Sequence, residues 1–454
     1  MAERRLVALT GLGAITPLGH NLETTYQALL DGKRAIKNER PWIEQSLVNA
    51  GAEVYIPRFT THLAALVHDF DFLSDPALAN RIKPRNVDRY YSTAAQFFIA
   101  AAIEAARQAE VMNDELFITG VEELRAAVVV GTGIGGAAEI PGFAFELVKG
   151  NQIPPTSMPK SQPDNPMVMA SMLFRARGPN NTLIKACSSG NAAVAHAVRL
   201  IENDEADLVI AGGTDGLNPT VIAEFEATTA GSESEDPNDA PWPFRAIEAD
   251  DPGGAVLSEG AGVGVFEPYE RALARGAFVF ALVTGYGETS DAYDPTMLSG
   301  EGTEESMRLA LRRANVSRKL ALLFNPHATS AGRAKLKRVG DQVEARATLN
   351  VFSGKNEDYD PEQIKGKVFP TKGPLGHAVG GANGIEFVVT AKIMHEGKMP
   401  PTGLDSVLTD PDMSDFVPTT SEATDVEVDG FLSNGMGFGG SNATIVAVKP
   451  PEAA

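Results

Sequence analysis

The sequence predicts an α/β fold in which sheets of parallel type are covered by helices on both faces. Three observations carry this. Short apolar runs ending in small residues alternate with helix-length segments, at residues 5–13, 126–136, 207–217, 277–287 and 320–325; strands that feed helices read this way. The 454 residues are 43% apolar and include 44 glycines, the make-up of a globular chain too long for one small core. Two strand-like runs share one signature, Thr10-Gly11-Leu12-Gly13 and Thr284-Gly285-Tyr286-Gly287. That is a weak internal repeat, placed as a chain of two similar halves would place it. No disordered linker separates the halves, so they are expected to pack as one body.

Taken in order, residues 5–13 read as a buried strand closed by a glycine turn, and 20–36 as a surface helix ending at Gly32. Residues 40–80 mix polar and apolar positions with Pro41, Pro57 and Pro76, and read as a surface excursion. Residues 88–110 form a long Ala-rich helix buried on most sides. Residues 126–136, AAVVVGTGIGG, are a buried strand and glycine turn. They are not a dinucleotide fingerprint, which needs a helix opening at the turn and an acid about 20 residues on. A helix and a Pro-rich loop occupy 137–166, a strand and glycine turn 207–217, and a loop 230–254; a strand at 255–268 leads to a helix ending at Arg275. The second half gives a helix at 303–315, a strand at 320–325, a helix near 338–350, an acidic loop at 354–364, a helix at 379–396, and strands at 427–434 and 442–449.

Composition bounds the function. Lys+Arg 39 against Asp+Glu 59 gives a net charge of −20, unsuited to general nucleic-acid binding. The single cysteine, Cys187, excludes an internal disulfide and any multi-cysteine metal site, and points to a reducing compartment. No run reaches the roughly 18 apolar residues of a membrane span. Gly11 and Gly13 break the first apolar run before it could serve as a secretion signal. A cytoplasmic protein is expected.

The chain is organised around residues 181–200, NTLIKACSSGNAAVAHAVRL. An apolar lead, a tight turn and a helix of small residues put the thiol of Cys187 at a helix start, where free N–H groups and the helix dipole favour thiolate. His327 in LLFNPHATS and His377 in PTKGPLGHAVGG also sit where a strand or loop hands over to a helix, and in α/β sheets such ends gather on one side of the molecule. Taken singly, each of these residues also fits a structural role. Together, one thiol and two imidazoles suit acyl transfer through a thioester. The same residue types can hold zinc, although positions 187, 327 and 377 carry no local metal signature. His20, His62, His68, His196 and His395 sit in ordinary helical or loop settings. The run Asn434–Asn442, NGMGFGGSN, can aim backbone N–H groups at an oxyanion.

From TGLGAITPLG to GFGGSNATIVAVKP the chain resembles the β-ketoacyl-acyl-carrier-protein synthases of the thiolase superfamily, in their elongating Cys-His-His class. The matching motifs are ACSSG, NPHATS, TKGPLGH and GFGGSN. The resemblance implies a thiolase fold, two similar halves packed as a five-layered αβαβα body. Residues 1–270 would carry the nucleophile and 271–454 the two histidines. It implies decarboxylative Claisen condensation of an acyl thioester with malonyl-acyl carrier protein, extending a fatty acyl chain by two carbons, the 3-oxoacyl-acyl-carrier-protein synthase II type of activity. A ketosynthase of a polyketide or specialised fatty-acid pathway is the alternative. A non-catalytic chain-length-factor partner is another, but such partners lack the cysteine. Thiolases use a second cysteine, which this chain does not have.

By the same resemblance Cys187 carries the acyl group, and His327 and His377 bind the malonyl thioester oxygen and stabilise the enolate. Lys372 supports His377, with Glu386 as its partner. Phe438 joins Cys187 in the oxyanion hole and gates an acyl pocket lined by Ile134 near a dimer interface. Asn325, Glu386, Ser433 and Asn434 match a monovalent-cation site of some members; no other cofactor is implied. The partner would be acyl carrier protein with acyl and malonyl groups on its 4'-phosphopantetheine, docked on Arg81, Lys83, Arg85 and Arg89. A basic insertion with Arg333, Lys335, Lys337 and Arg338 is a second candidate patch. A homodimer is implied, with no nucleic acid and no membrane. Several positions depart from the family pattern: Pro326 and Ala328 beside His327, Lys185 before Cys187, Arg245 after a Pro-Phe pair, the late acidic pair Asp341 and Glu344, and Gly435-Met436 before GFGG. These bear on substrate length and partner choice more than on the chemistry.

Overall fold

In the computed structural model, residues 4–49, 51–245, 254–317, 319–331, 340–354, 359–403 and 413–451 are described. Among them, nine strands make one mixed sheet. In chain order they are β1 Val7–Ile15, β2 Ala126–Gly131, β3 Asn181–Leu183, β4 Leu208–Asp215, β5 Gly260–Pro268, β6 Ala281–Ser290, β7 Leu322–Asn325, β8 Gly430–Gly437 and β9 Ser441–Val448. Across the sheet the order is β7-β8-β9-β6-β1-β5-β4-β2-β3.

Read outward from the β1–β6 junction, the two sides repeat each other. β1 pairs antiparallel with β5, β5 antiparallel with β4, and β4 parallel with β2. On the other side β6 pairs antiparallel with β9, β9 antiparallel with β8, and β8 parallel with β7. The repeat extends to a bulge. The register slips at Thr10 in β1 and at Thr284 in β6, the same place in the two Thr-Gly-x-Gly runs. The parallel sheets expected from the alternation are thus confined to the outer strands. The inner strands run antiparallel, and between β8 and β9 the reason is plain, since the short turn Phe438–Gly440 is too tight for a parallel crossover.

Four helices build the layers: α1 Thr93–Gln108, α2 Ser189–Glu202, α3 Glu301–Ala314 and α4 Ala382–Glu396. α1 covers β1, β5 and β4 from outside, and α3 covers β6 and β9. α2 and α4 pack on each other and on strands of both sides. The layers therefore run helix, half-sheet, helix pair, half-sheet, helix. This explains why α2 carries no charge before Arg199: with both faces against protein, nearly every residue from Ser189 to Leu200 is buried.

The glycines of the repeated runs do not make turns. They lie inside β1 and β6, where a helix crosses too close for any side chain. A Cβ at Gly11 or Gly13 would stand 2.1 Å from the carbonyl oxygen of Ala105 or Ala101 in α1; at Gly285 or Gly287 it would stand 2.1 or 2.0 Å from Ala310 or Ser306 of α3. The long helix expected at 88–110 is broken. Ser92 is extended, its hydroxyl accepts the Ala95 N–H, and its own N–H is taken by Asn165. The 40–80 excursion contains a helix at Arg40–Asn49 and a buried strand at Leu63–Ala65, so it contributes to the core. No helix of the described residues is long and apolar enough to cross a membrane.

Candidate active site

β3 ends at Leu183, and the chain turns sharply through Ala186 (φ 48°) into α2. Ser189 ties this turn, its hydroxyl accepting the Lys185 N–H and lying within hydrogen-bond distance of the carbonyls of Ala186 and Thr132. Cys187 is thereby buried at the helix start. From the other half, His327 follows β7. His377 follows the short helix Lys372–Leu375 and is spliced to the strand Leu257–Ser258: its N–H donates to Val256 O and its carbonyl accepts from Ser258. His377 Nε2 lies 3.0 Å from Cys187 Sγ. The two imidazoles meet edge to face, with centroids 5.4 Å apart at 90°. All three side chains line one cavity of about 470 Å³, together with Phe225, Met436 and Phe438.

The supporting carboxylates were only partly visible in sequence. Glu344 accepts the backbone N–H groups of His327 and Ala328, at 2.7 Å each, and the side-chain amide of Asn434. Asp341 accepts from Ser330 and Phe244. The late acidic pair is therefore the clamp that holds the NPHATS loop, with Ala328 at φ 25°. Burial pushes Asp341 up to about 6 and Glu344 up to about 7, against these hydrogen bonds. Lys372 and Glu386 form a buried ion pair, each 2% exposed, and the second carboxylate oxygen of Glu386 accepts from Asn383 at 2.7 Å. Asp215, which sequence reasoning passed over, accepts from Thr132 and from the N–H groups of Gly133, Ile134, Gly135 and Gly380. It joins the glycine turn after β2 to the segment after His377. The signal was there, a lone acid at the end of an apolar strand.

The thiolate expected at the helix start is not the resting form. Burial pushes the Cys187 thiol up to about 12; Lys372 opposes this, while Asp215 and Glu386 add to it. Desolvation is the largest influence on the thiol, ahead of the opposing charge of Lys372. Burial, and then the charge of Lys372, hold both His327 and His377 well below the ordinary imidazole value, so both are neutral at pH 7. Nδ1 of each ring is buried without a hydrogen-bond partner among the described residues. An orphaned N–H is rarer and costlier than an orphaned lone pair. This puts each ring's proton on Nε2, which in His377 faces the thiol. Alkylation of Cys187 by iodoacetamide should therefore quicken about tenfold per pH unit from pH 7 to beyond pH 9. A plateau near pH 8.5, as for a free cysteine, would contradict the buried thiol.

The other candidate residues divide. Phe438 stands at the cavity mouth, its ring 5.8 Å from Phe225, which is itself 6.2 Å from His377. Gly437 lies so near the nucleophile turn that a Cβ there would be 3.2 Å from Cys187 N. Ile134 does not line the cavity; it is partly buried in an apolar cluster with Leu217, Val221 and Phe225. Lys83, Arg85 and Arg89 are exposed and form no ion pair among the described residues. Arg81 is exposed too, and it donates to the carbonyls of Glu115 and Leu173 and stacks on Phe117 at 4.6 Å. Arg333, Lys335, Lys337 and Arg338 lie outside the described residues. Asn325 and Ser433 are partners across β7–β8, and Asn383 bridges Glu386 and Asn434.

Two family models match this chain, "Beta-ketoacyl synthase, N-terminal domain" over residues 4–272 and "Beta-ketoacyl synthase, C-terminal domain" over residues 280–403. The chain is 32% identical over 456 residues to 3-oxoacyl-[acyl-carrier-protein] synthase 2 of Staphylococcus aureus (strain N315), covering 99% of each. Among solved structures it is similar to a β-ketoacyl synthase from Burkholderia phymatum STM815, with a TM-score of 0.83 and 26% identity over 99% of this chain and 100% of that one. The ishigamide ketosynthase/chain length factor is similar over the same shares, with a TM-score of 0.77 and 26% identity.

Proposed function

The chain belongs to the β-ketoacyl synthase family, and we infer from its site how it performs the decarboxylative condensation that extends a fatty acyl chain by two carbons. The observation that carries the reading is the contact of His377 Nε2 with Cys187 Sγ beside a second neutral imidazole. Cys187 attacks the acyl thioester of acyl carrier protein, and its proton leaves on the departing pantetheine sulfur. Malonyl-carrier protein then enters. The Nε2–H groups of His327 and His377 donate to its thioester oxygen, CO2 departs, and the negative charge collects on that oxygen as an enolate. The enolate carbon attacks the acyl-Cys187 carbonyl, whose developing oxyanion faces the N–H groups of Cys187 and Phe438. Collapse expels Cys187 as a thiolate, which takes a proton from solvent to restore the thiol, and frees the 3-oxoacyl product. Lys372 supports the two rings by charge and is itself held by Glu386.

In this reading the first half, 1–270, supplies the nucleophile and the second, 271–454, the histidines. Lys83, Arg85 and Arg89 receive the acidic carrier. A second copy of the chain covers the helix Ile140–Val148, where Ile140, Leu147 and Val148 are 51%, 57% and 83% exposed, and the free edge strand β3 beside exposed Ile184. This reading also includes a monovalent cation between the halves of the site. Asn325 Oδ1 and Asn383 Oδ1 are buried without partners among the described residues, and the charge of Glu386 is already answered by Lys372. Asn325, Asn383, Ser433 and Asn434 would hold the ion, which would pin the loops without entering the chemistry. The single free thiol, Cys187, supports a reducing compartment, in this reading the cytoplasm.

With acyl- and malonyl-loaded carrier protein, the expected product is a 3-oxoacyl chain two carbons longer, with equimolar CO2. No product across short, medium and long acyl chains would sink the reading. The likeness to the ishigamide ketosynthase favours a specialised pathway as a second reading. Condensation that appears only when a cysteine-free chain-length-factor partner is supplied would select it.

A further inference from the structure

The cavity that carries the condensation chemistry is also a set of metal ligands. One atom each of Cys187, His327 and His377 lie within 4.8 Å of one another, and all three side chains are buried. Around tetrahedral zinc, with bonds of about 2.3 Å to sulfur and about 2.0 Å to nitrogen, neighbouring ligand atoms stand about 3.3–3.6 Å apart. Cys187 Sγ and His377 Nε2, at 3.0 Å, are already inside that spacing, so His327 closes the set with a shift on the order of 1 Å. A thiolate with two imidazoles selects a soft or borderline ion over Mg²⁺ or Ca²⁺. The cavity leaves the fourth position open to water.

We propose that Cys187, His327 and His377 form an inhibitory zinc site, which captures the nucleophile reversibly whenever it carries no acyl group. Hydrated Zn²⁺ sheds water, the Cys187 S–H bond breaks, an S–Zn bond forms, and the proton passes to solvent; nothing is oxidised or reduced. Each imidazole would bind through the Nε2 lone pair, so its proton must move to Nδ1, where no acceptor waits among the described residues. Zinc-binding histidines ordinarily have such an acceptor. Its absence makes the site weak and easily emptied by a chelator, unlike a resident structural zinc. The charged groups facing the site are Lys372, the paired Glu386, Asp215, Asp341 and Glu344. Lys372 is the charge that acts on both imidazoles and it opposes a cation, which weakens the site further. An acyl thioester on Cys187 removes the thiolate ligand, so the acylated enzyme is immune. Any effect on turnover rests on the condensation reading above, but the binding itself does not.

The test titrates the intact protein with Co²⁺ as an optical stand-in and displaces it with Zn²⁺. The expected result is a saturable thiolate-to-cobalt absorption band, stoichiometric with the chain and abolished by Zn²⁺. Release of a proton should raise the affinity about tenfold per pH unit near neutrality. Cys187→Ala should lose the band, and His327→Ala should weaken binding by more than about 100-fold. Native protein alkylated by iodoacetamide, with its fold checked by circular dichroism, should lose the band too. A band that survives alkylation, or equal cobalt affinity before and after it, would place the metal on the acidic surface and overturn the proposal. Condensation with and without Zn²⁺ and chelator is read separately. A cobalt band without any condensation leaves the site standing and the function reading fallen; condensation without a band does the reverse.

Discussion

Mixed with a medium-chain acyl-acyl-carrier protein, the chain should gain the mass of one acyl group, and Cys187→Ala should gain none. Cys187 is the only thiol in the sequence; it opens on the cavity and is in contact with His377 Nε2. The adduct should therefore be a single thioester, released by hydroxylamine. Condensation should fall by at least about 10⁴-fold in Cys187→Ala, because the acyl group then has no covalent station. Cys187→Gln separates the two halves of the reaction. His327 and His377 remain, so that variant should still decarboxylate malonyl-carrier protein, at the native rate or faster, with no acyl acceptor. An acyl adduct on Cys187→Ala would move the nucleophile elsewhere. A Cys187→Gln protein that is folded but unable to decarboxylate would mean that the enolate site is misassigned.

Lys372→Met should be the most damaging single change to stability near the site. It leaves Glu386 buried, with Asn383 as its remaining side-chain partner. Removing one member of a buried ion pair costs about 3–5 kcal/mol, enough to lower a denaturation midpoint plainly. Burial already holds the Glu386 carboxyl above its ordinary value even with Lys372 present. The double variant Lys372→Met/Glu386→Leu removes both charges and should regain most of that stability. It should not regain turnover, because the Lys372 charge also acts on Cys187, His327 and His377. A single variant with a native midpoint would deny the pair its structural part. A double variant with native turnover would deny Lys372 its part in the chemistry.

Sequence reading reached far in this chain because local chemistry speaks through spacing. Apolar runs ending in small residues marked β1, β2, β4 and β6, and the two Thr-Gly-x-Gly runs marked a repeat that the sheet carries down to matching bulges at Thr10 and Thr284. The motif strings around Cys187, His327, Lys372 and His377 named residues that the fold brings together, although they are drawn from two halves of the chain. The misses share a cause. The glycines of the repeats were read as turns because their reason, helices α1 and α3 lying on the strands, comes from residues about 90 positions away in one case and about 20 in the other. The helix expected over 88–110 breaks at Ser92 because Asn165, distant in sequence, takes its N–H.

The sequence by itself determined the α/β alternation, the doubling of the chain, and the identity and order of the thiol, the imidazoles and the buried amine. The tertiary structure decided what state those groups are in. The helix start favours a thiolate at Cys187, but the layers on either side of α2 exclude water, and desolvation pushes the thiol up. The fold also chose which carboxylates hold the site, Glu344 beneath His327 and Asp215 between the two halves, and it ran the inner strands antiparallel. Each of these depends on which distant segments exclude solvent or meet a backbone, a property of the packed chain that no stretch of residues carries alone.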